Sequence, residues 1–268
     1  MYALSSVVRS GTEIQWTGRG LEDSGTAVLT VRDGQCTGFF RTDGGLFLVR
    51  PIGGGMHALV LQDESRLPPD HPPEAANPPE GSGQDDRRDE PPPTEDASGP
   101  FEVDVLVAYT PAVARAVLDV PGLVDSSVAA ANLSYRQSMI PLSLRIVSTM
   151  PVDYTETTYE QDVGRLKSHG DGFLEDVHAQ RDAFHADVVV LLVDSPQYCG
   201  YAAAILADAS SAFAAVHYGC ADSNLSFAHE LGHLFGARHN PEADPTPSPF
   251  PWGHGLTNAN RHWRTVMG

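Results

Sequence analysis

Apolar and polar residues alternate differently in three stretches of the chain. From residue 1 to 62 they alternate in short runs, TAVLTVRDG, CTGFFRTDGG, LFLVRPIGGG and MHALVLQD, broken at Asp-Gly and Gly-Gly pairs. A period of two interrupted by tight-turn residues predicts a small antiparallel β meander. Residues 63–99 carry almost no large apolar side chain and are crowded with Pro, Asp and Glu. Such a segment cannot bury enough surface to offset the entropy of ordering it, which predicts a flexible acidic linker and a domain boundary. From residue 100 to 268 the pattern mixes. FEVDVLVAYT, PLSLRIVSTM, ADVVVLLVD and SAFAAVHY read as strands. LVDSSVAAANLSYRQSM and part of GFLEDVHAQRDAF read as helices, and a last helix starts near Asn224 and runs into HELGHLFGARHN. Strands alternating with helices predict an α/β domain whose mixed, mainly parallel sheet is covered by helices.

The last of these helices carries the chemistry. His229 and His233 stand at i and i+4 and therefore share one helix face, so both imidazoles can aim at a single point. Gly236 can take a positive φ, end the helix and turn the chain, which lets His239 face the first two. Three neutral nitrogens around one cation, with a fourth position left for water, is the arrangement of a catalytic zinc site. Glu230 is displaced by about 100° round the helix from His229. It is placed to take a proton from that water rather than to bind the metal, as the general base of peptide hydrolysis. The full H-E-x-x-H-x-x-G-x-x-H spacing is far more specific than H-E-x-x-H alone.

Composition narrows the partners. A net charge of −18 argues against nucleic acid, since phosphate binding needs clustered Lys and Arg. No apolar run is long enough to span a membrane. MYALSSVVRSG lacks a basic start followed by an apolar core and so does not read as a signal peptide. Three cysteines, Cys36, Cys199 and Cys220, fit either a reducing compartment or one disulfide in an exported protein.

HELGHLFGARH matches the zinc signature of the metzincins. The wider set FEVDVLVAYTPA, CGYAAA, FAHELGHLFGARHNPE, FPWGHG and WRTVM resembles the bacterial peptidyl-Asp metalloendopeptidase family, over most of residues 101–268. The resemblance implies a metzincin-like protease fold, zinc bound by His229, His233 and His239, Glu230 as the base, and Met267 in a methionine-containing turn beneath the metal. It implies cleavage of protein or peptide substrates on the amino side of aspartate. It also implies secretion, and a propeptide (here residues 1–62) that contacts the protease domain in cis. A calcium requirement is not legible in the residues. In an exported protein Cys199 and Cys220 are expected to form a disulfide, and Cys36 is left over, either as a propeptide thiol that blocks the zinc or as a buried strand residue.

No residue that would recognise the aspartate is legible. Arg238 and Arg264 are the cationic candidates, each equally readable as a surface arginine. His254 and His262 read as structural or exposed side chains before substrate contacts, and Asn240 and Asp244 as residues that order the chain after His239. Asn132 and Asn224 begin N-x-S triplets that the resemblance to a bacterial family makes incidental. Asp70, Asp85, Asp86, Asp89 and Asp96 offer the enzyme sites for processing its own linker, with Arg87-Arg88 a competing site for another protease. Family members run past the methionine turn, so an end at Gly268 predicts a truncated lower subdomain with Met267 at a frayed terminus. Two rival readings follow: a metzincin of other specificity, and a catalytically impaired zinc-binding fragment.

Overall fold

The computed structural model describes residues 2–21, 25–70, 100–260 and 263–268. The expected linker over 71–99, with Asp85, Asp86, Asp89, Asp96 and Arg87-Arg88, lies outside the described residues, as does His262.

The first stretch folds as its alternation predicts. β1 (Tyr2–Ser10), β2 (Glu13–Gly20), β3 (Thr26–Arg32), β4 (Gln35–Thr42), β5 (Gly45–Gly53) and β6 (Met56–Leu61) form one sheet in chain order. Each neighbouring pair is antiparallel. Asp33 and Gly34, with φ of 50° and 77°, make the two-residue turn between β3 and β4. That double left-handed conformation matches the right-handed twist of the strands it joins.

One face of this sheet is covered by α2 (Val120–Gln137): Val28, Phe39, Leu46 and Leu48 pack on Ala129, Ala130 and Leu133. Polar contacts pin the same surface. Thr30 Oγ1 donates to the Gly122 carbonyl at 3.1 Å, and Thr37 Oγ1 to Asp119 at 2.7 Å. Arg50 grips both oxygens of the fully buried Asp222 at 2.9 Å. Arg32 pairs with Asp125 at 2.6 Å.

Burial and the nearby Glu13 carboxylate raise the Asp125 carboxyl to about 6, against the pull of Arg32. A folded-state pKa above the unfolded value means the folded protein holds that proton more tightly. The stability this supplies is full below about pH 4 and is lost as pH rises through about 6. Asp125→Asn removes the titration. Between pH 4 and 6.5 the parent should lose on the order of 2–3 kcal/mol relative to the variant. Urea midpoints at both pH values read this difference, and parallel pH profiles would contradict it.

The second sheet is mixed and mainly parallel, in the order β10-β11-β9-β7-β8. β7 (Phe101–Tyr109), β8 (Leu142–Pro151), β9 (Val188–Val193) and β11 (Phe213–His217) are parallel. The short edge strand β10 (Gly200–Ala202) runs antiparallel to β11. VVVLLV of β9 is buried at every position because both faces are covered. Val188, Val190 and Leu192 join a core with α2 and α5 (Ser226–Leu234). Val189, Leu191 and Val193 join another with Tyr159, Val163 and Leu166 of α3 (Tyr159–Lys167) and Val177 of α4 (Glu175–Phe184). The described residues also include a short helix, α1 (Pro111–Ala116), and a two-residue ribbon of β12 (Thr257–Asn258) and β13 (Trp263–Arg264).

Residues 63–70 depart from the expected flexible linker. Asp63 caps a single 3-10 turn at Glu64–Arg66. Pro68, Pro69 and Asp70 then lie against the second sheet, where the Cys199 N–H donates to the Pro69 carbonyl at 2.7 Å. Composition weighed only the apolar surface this segment could bury, whereas Pro69 and Asp70 are held by polar partners more than a hundred residues away.

Candidate active site

α5 delivers the first two histidines. It opens after Leu225 in the left-handed conformation and closes at Phe235. Gly236 follows with φ +99°. The Gly236 N–H returns to the His233 carbonyl and the Ala237 N–H to the Gly232 carbonyl, both at 2.9 Å, which is the paired bonding of a Schellman cap. A Cβ on Gly236 would be strained at this φ and would meet the Phe250 ring at 2.8 Å, so glycine here is a requirement of the turn. The turn returns His239 to the helix face.

The three imidazoles converge. His239 Nε2 lies 3.1 Å from His229 Nε2 and 3.1 Å from His233 Nε2. Their far nitrogens are held by carbonyls: His229 Nδ1 faces Val266 O at 2.7 Å and His233 Nδ1 faces Ala237 O at 2.9 Å. A carbonyl can only accept, so both rings carry their proton on Nδ1 and present a bare Nε2 to the centre. With His239 presenting a bare Nε2 as well, three lone pairs would meet at that distance, an arrangement that a cation among them stabilises. Tetrahedral zinc with Zn–N near 2.05 Å requires nitrogens about 3.3 Å apart, so the donor set fits zinc. Carbonyls behind the ligating rings fix ring tautomer and angle, as outer partners do in zinc sites.

Glu230 is 2% exposed beside this cluster and is not one of the converging donors. Gly200, at the start of β10, lies against it: a Cβ there would fall 2.3 Å from Glu230 Oε1. Burial, and secondarily the Asp70 carboxylate, push its carboxyl well above the usual range. A buried carboxyl beside the converging donors marks a candidate acid–base position.

Residues 265–268 form the floor beneath α5. Met267 Sδ sits 2.4 Å from where a Gly232 Cβ would be, directly under the helix. The Gly268 N–H returns to Thr265 O at 3.0 Å, so Met267 lies in a packed turn and not at a frayed end. The same turn supplies the Val266 carbonyl to His229.

Other expected residues fall as follows. Cys199 and Cys220 are joined by a disulfide, with Cα atoms 5.5 Å apart and 21 residues of separation. It ties the entry of β10 to the segment before α5, and closing a loop of that length contributes about 3 kcal/mol. Cys36 does not reach the histidines. It lies on β4 opposite Val31, outside the converging donors, with its thiol pushed up by burial and by Asp119. That placement favours the strand-residue reading over the blocking thiolate. Arg238 pairs with Asp244 at 2.9 Å, and the Asn240 carbonyl accepts from Ala243 and Asp244, so these residues order the turn after His239. His254 Nδ1 faces the His239 carbonyl at 2.7 Å. Asn132 brackets the backbone of Leu144 with both ends of its amide. Arg264 pairs with Asp70 at 2.6 Å, and Asn224 also donates to Asp70, at 2.9 Å. The sequence marks Asn224 and Asp70 only as part of a glycosylation triplet and as a linker acid. Their meeting depends on chain return over 154 residues, which no local pattern signals.

Three comparisons bear on this arrangement. Residues 100–267 match the family Reprolysin_5, described as metallo-peptidase family M12. The peptidyl-Asp metalloendopeptidase of Stenotrophomonas maltophilia (strain R551-3) is 39% identical over 259 residues, covering 94% of this chain and 61% of that protein. The enzyme of the same name from Xanthomonas campestris pv. campestris is 36% identical over 261 residues, covering 97% of this chain and 62% of that protein. The chain thus spans about three fifths of the length of these relatives. A solved structure titled "Structure of a chaperone-substrate complex" shares the fold at a TM-score of 0.51 and 18% identity, covering 90% of this chain and 35% of that one. A family match spanning the sheet, the histidine helix and the methionine turn places the chain in metallo-peptidase family M12.

Proposed function

We propose that the chain is a zinc-dependent endopeptidase of metzincin type that cuts on the amino side of aspartate and is made as a secreted, zymogen-like precursor. The observation that carries this reading is the meeting of three Nε2 atoms within 3.1 Å contacts, beside a buried carboxylate. His229, His233 and His239 would hold the metal. When bound, zinc would supply Lewis-acid polarisation of the scissile carbonyl and would lower the pKa of a water in its open position to about 7. Glu230 accepts a proton from that water and returns it to the leaving amine. Val266 and Ala237 hold two of the rings in register, and Met267 supports the helix from below.

The preference for aspartate is brought over from the names of the relatives. Residues 1–62 act as the propeptide in this reading. The packing of their sheet on α2 and the grip of Arg50 on Asp222, four residues before α5, support a role in holding the precursor. The disulfide supports export to an oxidising compartment.

A panel of zinc-loaded digests tests the specificity. Peptides that differ only in the residue after the scissile bond are incubated with the chain cut between residues 71 and 99, which releases the proposed precursor block, and mapped by mass spectrometry. Cleavage before Asp should exceed cleavage before Asn or Ala by at least about 100-fold, the discrimination available to a site built to bind a polar group. Even cleavage across the panel would point to a metzincin of other specificity.

A further inference from the structure

We infer that Arg264 and Asn224 form the subsite that receives the aspartate side chain of a substrate, and that Asp70 of this chain occupies it here. The inference rests on the proposed specificity and names the residues behind it.

Both oxygens of Asp70 are taken by separate donors. Arg264 Nη1 meets Oδ2 at 2.6 Å, and Asn224 Nδ2 meets Oδ1 at 2.9 Å. Each donor is itself braced: Asn224 Nδ2 also reaches Ser226 Oγ at 3.1 Å, and Arg264 Nη1 donates to the Gly268 carbonyl at 2.8 Å. A cation and an amide N–H aimed at one carboxylate select an acid over its amide, because an Asn side chain in that place would turn an NH2 group toward one of the donors. Burial pushes the Asp70 carboxyl up, but Arg264 and Asn224 more than offset this and hold it below the usual range.

The place is also right. Arg264 stands two residues before Val266, which holds His229, and Asn224 stands two residues before the first residue of α5. The residue before Asp70 is bound through its carbonyl to the Cys199 N–H, and the next residue, Gly200, packs on Glu230. The Pro69-Asp70 segment therefore meets the chain at the entry of the edge strand β10, one residue from the glycine that packs on the base. Its Pro69 carbonyl is engaged by Cys199 rather than turned to the three histidines, so Asp70 fills the subsite as a blocking ligand. Arg238 cannot do this work, since Asp244 already holds it inside the turn.

Calorimetry with zinc-loaded full chain and the tripeptides Asp-Ala-Ala and Asn-Ala-Ala tests the inference. The probes mimic the amino end of the product and need no turnover. Loss of all peptidase activity would therefore refute the proposed function without affecting this result. The Asp70→Asn chain should bind Asp-Ala-Ala at least tenfold more tightly than the parent does, and at least tenfold more tightly than it binds Asn-Ala-Ala. Adding Arg264→Met to Asp70→Asn should erase that preference. If the double variant does not fold, Asn224→Ala in the Asp70→Asn background is read instead, with an expected tenfold loss for the Asp tripeptide alone. Equal binding of both tripeptides by Asp70→Asn, or a preference that survives loss of Arg264, would overturn the assignment.

Discussion

Glu230→Gln should lower peptide turnover by about 10³–10⁴-fold and leave zinc bound. The side chain is 2% exposed and touches the Gly200 position, so the isosteric amide fits the same space. In the proposed mechanism it loses the capacity to accept the water proton and pass it to the amine, and general acid–base catalysis contributes about 10²–10⁴-fold. The upper part of that range is expected because one residue serves both transfers. The three imidazole nitrogens converge without Glu230, so metal content by elemental analysis should stay at one per chain. A variant that keeps a tenth of the parent rate would remove Glu230 from the chemistry. One that loses zinc and activity together would make it a structural residue.

The second large effect is on the metal itself. His233→Ala removes one of three nitrogen donors and leaves Ala237 O without the ring N–H it now receives. Zinc binding to four-ligand structural sites is worth about 10–16 kcal/mol, or about 3–4 kcal/mol per ligand, so loss of one histidine should cost about 10²–10³-fold in affinity. Competition against a chelator of known affinity reads this directly. His254→Ala is the matched control: it also loses a hydrogen bond near the site, to the His239 carbonyl, but contributes no converging nitrogen. It should weaken zinc by no more than about 10–100-fold, the range of outer-partner substitutions. Equal losses in the two variants would mean that the affinity does not come from the trio.

The parts of the fold readable in advance are those whose signals are local. β9 announces itself because six apolar residues in a row need cover on both faces, and the meander because Asp33-Gly34 and Gly54-Gly55 fall between alternating runs. α3 has no such local signal, since Tyr159, Val163 and Leu166 give only a thin apolar stripe on a charged nonamer. β10 is three residues long and exists through its pairing with β11.

The same division runs through the site. His229, Glu230, His233, Gly236 and His239 lie within eleven residues, so helix periodicity and one glycine predict their meeting. The floor and the acid subsite are assembled across the chain. Val266 reaches back 37 residues to His229, and Asp70 reaches 154 residues forward to Asn224. Nothing near Asp70 in the sequence marks it out from the other linker acids. Gly200 and Gly232 matter only because Glu230 and Met267 need the space where their Cβ atoms would stand.

X-ray absorption at the zinc edge of the loaded full chain tests the central claim most directly. Three nitrogen neighbours at about 2.0–2.1 Å, with the multiple-scattering pattern of imidazole and one further light atom, are the predicted shell. A fall of that pattern from three imidazoles to two in zinc-saturated His233→Ala should accompany it. A shell of oxygens alone, or an imidazole pattern unchanged in the variant, would contradict the account.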